Sequence, residues 1–183
     1  MDGIRSIINE SIEVHQRLEG IIGDISSASG IMLECIKAGG KVMVAGNGGS
    51  AGDAQHFAAE LVNRFLKDRQ PIAGLALTTD TSIITAVGND SSFDEIFAKQ
   101  VRALGKKGDC FLGISTSGNS ENIIRAISEV SSMGITTIGL TGDHGRMQGM
   151  VDHLIAVPSG STPRIQEAHI LIIHCICGII EDG

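Results

Sequence analysis

Lys41–Leu61 reads KVMVAGNGGSAGDAQHFAAEL. A short apolar run, Lys41–Ala45, passes through a glycine-rich loop into a helical pattern. Strand, tight loop and helix in that order bring a ligand to the carboxyl end of a parallel strand. The loop is built like a phosphate cradle, yet no lysine follows its glycines. It has neither the Lys-Ser/Thr ending of a nucleotide loop nor the GxGxxG spacing of a dinucleotide loop. His56 and Glu60 sit four residues apart on the helix instead, sharing one face about 6 Å apart. That spacing suits two ligands of one metal, or a base and its orienting partner.

The same alternation continues outward. Strand patterns fall at Lys41–Ala45, Ile72–Leu77, Asp109–Ile114, Thr136–Leu140 and His153–Val157. Helical patterns lie near Ala51–Leu66, Ser91–Leu104, Ser120–Ser132 and Gly145–Met150. Short strands that are apolar on both faces belong to a parallel sheet covered by helices. The expected fold is α/β: a doubly wound, five-stranded parallel sheet with helices on both faces. Its sites should lie at the carboxyl ends of the strands. The loops expected there are GNGGS, TTDTS (Thr78–Ser82), STSGNS (Ser115–Ser120) and TGDHG (Thr141–Gly145), all small and polar.

Upstream, Ile4, Ile7, Ile8, Ile12, Leu18, Ile21, Ile22, Ile25, Ile31, Leu33 and Ile36 recur at helical spacing. Residues 1–38 read as one long N-terminal helix, or two joined near Ser29–Gly30, closed by Gly39–Gly40. Residues 39–183 form the α/β domain. Downstream, STPRIQE opens a last helix from Pro163 to about Ile180, with Thr162 as N-cap. Its apolar residues go nearly all round, so it should be buried on more than one side. Two such apolar helices exceed what one domain of 183 residues needs. They point to a subunit interface, with the N-terminal segment serving oligomerisation.

Composition narrows the function classes. Hydrophobic residues make up 42% and charged residues 19%, enough for a full core. The net charge of −7, without a basic stripe, argues against nucleic acid as a partner. The N-terminus has no apolar export signal. The run Ala168–Ile180 is shorter than the roughly 20 residues of a membrane span. The expectation is therefore a cytoplasmic protein away from membranes. Cys35, Cys110, Cys175 and Cys177 follow neither zinc-ribbon nor disulfide spacing. They read as small core residues, with Cys175 and Cys177 about 200° apart on a helix.

The loops carry the chemistry. STSGNS lies between a strand and a helix. Hydroxyls and free backbone N–H groups there hold an anion without a cation. A plain capped turn is the alternative, but six small polar residues exceed what capping needs. Two small-residue loops on one edge, without lysine, suit a monophosphate on a small polar molecule, such as a sugar phosphate. A nucleoside triphosphate would bring magnesium ligands and a lysine. Near the start of the last helix stand Gln166, Glu167 and His169, with His174 further on. Glu167 and His169 read as structural or solvated. Periodicity does not decide Gln166 or His174.

KVMVAGNGGSAGDAQHFAAEL, LTTDTSIITAVGNDSSFDEIFAKQV, LGISTSGNSENII and TPRIQEAHILIIHCIC together resemble the sedoheptulose 7-phosphate (phosphoheptose) isomerases of the SIS superfamily. The resemblance runs from about Gly39 to Asp182. It is specific in AGNGGSAGDAQHFAAEL and GISTSGNS, and weak in the N-terminal helix. It implies the flavodoxin-like strand order of a SIS domain. It also implies a cytoplasmic homotetramer that turns D-sedoheptulose 7-phosphate into D-glycero-D-manno-heptose 7-phosphate, the first step of bacterial heptose biosynthesis towards lipopolysaccharide or capsule. One zinc ion per subunit is implied, on His56, Glu60, Gln166 and His174. Implied substrate contacts are Asn47, Gly48, Gly49, Glu60, Asn89, Asp90, Ser115, Thr116, Ser117, Ser120 and Gln166. Glu60 and His174 would carry the proton transfers. Gly52 stands where some members have alanine, which removes no ligand.

Gln166 and His174, eight residues apart on one helix, have backbones about 12 Å apart. Either one zinc sits between two long reaches, or the two residues serve different sites. The second case places the active site at a subunit interface. Three other readings belong to related SIS proteins. One is a non-enzymatic tetramer that binds the replication initiator protein, a branch lacking the histidine at the His174 position. Another is a sugar-phosphate sensor without the His/Glu pair. The third is an isomerase of a different phosphosugar.

Overall fold

The computed structural model describes residues 2–183; Met1, the first residue of the 1–38 segment, lies outside them. Five strands form one parallel sheet in the order β2-β1-β3-β4-β5: β1 Val42–Gly46, β2 Gly74–Ala76, β3 Cys110–Ser115, β4 Thr136–Thr141 and β5 His153–Ala156. The central strands β1 and β3 are buried at every position, as strands covered on both faces must be. Helices α2 (Ile22–Lys37), α3 (Gly49–Val62) and α7 (Thr162–Asp182) cover one face. There Phe57, Leu61, Ile172, Ile173 and Ile176 pack beneath the sheet. Helices α5 (Ile96–Leu104) and α6 (Glu121–Ser132) cover the other with Phe97, Val101, Ile123 and Ile127. Each such side chain contributes about 1.5–3 kcal/mol by leaving water. The doubly wound α/β fold and its flavodoxin-like strand order are as expected.

Several local expectations are corrected. The N-terminal helix breaks at Leu18–Ile21, a 3₁₀ turn between α1 (Asp2–Arg17) and α2, and not near Ser29–Gly30. The buried Ser29 hydroxyl donates to the Ile25 carbonyl at 2.7 Å, so the helix passes through it intact. The TTDTS loop expected over Thr78–Ser82 gives way at Thr81 to an unexpected helix, α4 (Thr81–Asp90), whose N-cap Asp80 accepts from the Ile83 amide. No residue of α4 is buried, so burial periodicity could not mark it. The helix expected over Ser91–Leu104 begins with a 3₁₀ turn, Phe93–Glu95, before α5. Gly145–Met150 contains only the 3₁₀ turn Arg146–Gly149. Ser161, not Thr162, holds the N-cap position of α7, and α3 stops at Val62.

Helix α7 is buried along one side. Leu171, Cys175 and Ile179 form an uncovered stripe on another. With 21 residues it is long and apolar enough to cross a membrane, yet half of its most apolar stretch is inside the core. Arg164, 6% exposed, fastens α1 to α7 through the Ile7 carbonyl, Glu10 and Glu167. Ser11 donates to Glu167 at 2.8 Å. Ile4, Ile7, Ile8 and Ile12 remain more than half exposed along α1.

His169 is fully buried and donates from Nε2 to the Thr141 carbonyl at 3.2 Å. Burial pushes its imidazole down from 6.5 to about 4, against the opposing effect of that carbonyl. The folded state keeps His169 neutral where the unfolded chain protonates it. Stability is therefore lost as pH falls below the unfolded value, until the folded value is reached. The expected loss is on the order of 3 kcal/mol between pH 6.5 and 4. Urea unfolding across that range checks it, and His169→Gln should remove this part of the slope.

Candidate functional site

Parallel strands put the loops after β1, β2, β3 and β4 on one edge. Two of them meet through a side-chain pair. Asn47, in the glycine loop, and Asn122, in the first turn of α6, exchange two hydrogen bonds at 2.8 Å each. Asn122 is 2% exposed, so this amide pair ties the two loops from inside. Asn47 keeps one N–H and one lone pair for a ligand. The glycine loop turns at Gly48, whose φ is +55°. Gly49 starts α3.

The loop after β3 presents its hydroxyls to one another. Ser115 Oγ lies 2.9 Å from Ser120 Oγ and 3.5 Å from Ser117 Oγ. Ser120 holds the N-cap position of α6, yet its hydroxyl makes no cap bond. Ser117 Oγ accepts from the Asn119 amide at 3.2 Å as in a plain turn, while the Ser115 and Ser120 hydroxyls bond only to neighbouring serines. Gly118, at φ +60°, closes the loop with its amide on the Ser115 carbonyl. Thr116 is half-buried, and its carbonyl accepts from Gly142. Behind the loop, the Arg146 amide donates to the Asn119 side chain. The result is a group of hydroxyls at a helix N-terminus, an arrangement that receives an anion.

The second half of the site lies between α3 and α7. A Cβ on Gly49 would fall 2.5 Å from Gln166 Nε2. Further along, His174 Nε2 is 3.5 Å from His56 Nε2, their rings 5.1 Å apart. Beyond α3, the amides of Phe65, Leu66 and Lys67 donate to Glu181. These contacts occur in the same chain order on both sides, so α3 and α7 run side by side and parallel. His56 Nε2 also meets Glu60 Oε1 at 2.9 Å. Phe65 stacks on His174 with centroids 5.3 Å apart, fixing the ring from its other side.

His56, Glu60 and His174 therefore stand in an open row with His56 between the other two. Among the described residues, no three His, Cys, Asp or Glu side chains close into a cage. Gln166 is placed about two helical turns away, against Gly49. The row still suits a metal. Its donors are imidazole nitrogen and carboxylate oxygen, as zinc prefers. A tetrahedral zinc with bonds of about 2.0 Å has donors about 3.3 Å apart. The observed 2.9 and 3.5 Å bracket that separation. Asn89 and Asp90 end α4, where they bond to each other at 2.7 Å and face solvent. They make no hydrogen bond to the residues above.

Asp53 escaped the sequence reading, although it precedes His56 by three residues and Glu60 by seven on the same face of α3. Its Oδ2 is buried without a partner. Burial pushes its carboxyl up to about 6, while nearby His56 pulls the other way. Asn122 and Phe65 were missed too. The first looks like any polar residue in a first helical turn, and the second lies in a loop whose course depends on Glu181.

This parallel sheet with small polar loops on one edge defines a SIS domain, and the SIS domain family model matches residues 8–142. The chain is 49% identical to the phosphoheptose isomerase of Rhodospirillum rubrum over 100% of this chain and 97% of that one. It is 46% identical to that of Campylobacter jejuni, covering 97% and 98%. The solved phosphoheptose isomerase from Neisseria gonorrhoeae superposes with a TM-score of 0.94 at 45% identity, covering 100% and 98%. The one from Francisella tularensis gives 0.96 at 43%, with the same coverage. The chain belongs to the phosphoheptose isomerase family.

Proposed function

We propose that this protein isomerises D-sedoheptulose 7-phosphate to D-glycero-D-manno-heptose 7-phosphate, the first step of bacterial heptose biosynthesis. The observation that carries the reading is the contact of His174 with the His56–Glu60 pair, in a chain that also gathers serine hydroxyls at the N-terminus of α6. The family relatives support the same substrate. Ser115, Thr116, Ser117 and Ser120 hold the phosphate, and Asn47, Gly48 and Gly49 line the approach of the sugar. Asn89 and Asp90, at the end of α4, would contribute further polar contacts to the sugar.

The reaction moves one proton from C1 to C2 and one from O1 to O2 through a cis-enediol. Glu60 and His174 take and return the carbon-bound proton. Glu60 Oε1 engages His56, leaving Oε2 for the substrate. His56, Glu60, Gln166 and His174 would hold zinc, one ion per subunit. Bound there, zinc supplies Lewis-acid stabilisation to the enediolate oxygens. The Glu60 side chain is 20% exposed and His174 is half-buried, so their protons exchange with water. In D2O the aldose product should therefore carry deuterium at C2, read by NMR. Product with protium alone at C2 would point to a hydride shift.

Gly49→Ala would push the Gln166 amide off α3. Since the clash is with the free end of a flexible side chain, the fold should yield little. The expected result is a kcat/KM at least about tenfold lower, with Tm within about 4 °C of wild type. A homotetramer in the cytoplasm, with active sites at subunit interfaces, completes the proposal. Its support is the uncovered isoleucine stripe of α1 and the Leu171–Ile179 stripe of α7. Residues 1–38 then serve assembly. Ile8→Glu should lower the mass measured by light scattering.

A further inference from the structure

We propose that Cys35 and Cys110 form a peroxide-oxidisable dithiol at the edge of the sheet opposite the active site, closing a disulfide between α2 and β3. Cys35 lies in the last turns of α2 and Cys110 begins β3, at the amino end of the strands. A cleft of about 430 Å³ opens between them, lined by Gly30, Ile31, Glu34, Cys35, Gly108 and Cys110. A small hydroperoxide fits such a space. The Cys35 sulfur is wedged where a Cβ on Gly40 would come within 2.8 Å of it. It donates to the Gly108 carbonyl at 3.1 Å and to the Lys41 carbonyl at 3.6 Å, and that same Lys41 carbonyl accepts from the Cys110 amide, which sets the two cysteines side by side.

The two thiols are unequal. Cys35 is 8% exposed and Cys110 1%, so an oxidant from the cleft meets Cys35 first. The neighbouring Cys110 thiol holds the Cys35 thiol below its ordinary value despite burial. The Cys35 thiol in turn, together with burial, pushes Cys110 well up. Thiolate character selects the attacking sulfur. Cys35 thiolate attacks the peroxide, breaking the O–O bond. It becomes a sulfenic acid as the peroxide is reduced to an alcohol, or to water. The Cys110 sulfur then attacks the sulfenic sulfur and water leaves. The net change is two thiols and one hydroperoxide to one disulfide, one alcohol and one water. Intracellular disulfides of this kind are characteristically transient and redox-sensing.

Cys175 on α7 is exposed and provides an internal comparison. The test treats the full-length protein with a small excess of hydrogen peroxide, then denatures, alkylates and maps peptides by mass spectrometry. The expected result is a Cys35–Cys110 linked peptide, two hydrogens lighter than the free pair and restored by reductant. It should form at peroxide levels that leave most Cys175 alkylatable. Cys110→Ser should trap a dimedone adduct on Cys35, and Cys35→Ser should leave Cys110 a free thiol. The wild-type map stands without either variant. Oxidation of Cys175 while Cys35 and Cys110 remain alkylatable would overturn the proposal. So would a Cys35 sulfinic acid with no link to Cys110.

Discussion

Glu60→Gln and His174→Gln should each lower kcat for sedoheptulose 7-phosphate by about 10²–10⁴ with little change in melting temperature. Glutamine keeps the volume of Glu60 but cannot accept a proton at the working pH. At His174 it keeps a polar side chain but loses the imidazole that meets His56. Neither group carries the core, because the row faces the site. KM should move less than kcat, since the proposal assigns the phosphate to Ser115–Ser120 and not to this row. Both residues touch His56, so their effects should couple. The double variant should be much less impaired than the product of the two losses. Steady-state kinetics beside circular dichroism would read this. Full activity in either folded variant would remove that residue from the chemistry.

Gly145→Ala should damage both fold and substrate binding. Gly145 has φ +118°, a region closed to side-chain-bearing residues. An added Cβ would lie 2.4 Å from the Ser117 carbonyl oxygen and 2.6 Å from Gly118 Cα. Both are backbone atoms of the anion loop and cannot swing aside. Strain and displacement together should cost about 2–4 kcal/mol. For a chain of this length that is about 4–16 °C in Tm. The displaced loop should raise KM for the phosphosugar at least tenfold. Gly149→Ala is the control. It has open space around it and an ordinary φ, so stability and KM should stay near wild type.

The sheet was legible because its signal is local. VMVAG and CFLGI are apolar throughout, and each is followed by a small polar loop. Helix α4 was not legible: Thr81–Asp90 buries no side chain, and β-branched residues with Gly88 give weak helical propensity. The break in the N-terminal helix was misplaced because Ser29–Gly30 looks like a turn, while the Ser29 hydroxyl bonds within the helix. The His56–Glu60 pair could be read from its spacing. Its meeting with His174 could not, because 118 residues separate His56 from His174. Only the parallel alignment of α3 and α7 brings them together. The same alignment sends Gln166 to Gly49, which spacing on α7 alone could not reveal. Asp53 carried a usable signal, a third acidic or basic group on one face of α3. Its buried, unpartnered oxygen belongs to the tertiary structure alone.

The most direct measurement is conversion of D-sedoheptulose 7-phosphate by the purified, zinc-loaded protein, with product identified by NMR. The account predicts the D-glycero-D-manno-heptose 7-phosphate aldose, formed catalytically and lost in Glu60→Gln. A folded, zinc-loaded protein that forms no such product would contradict it.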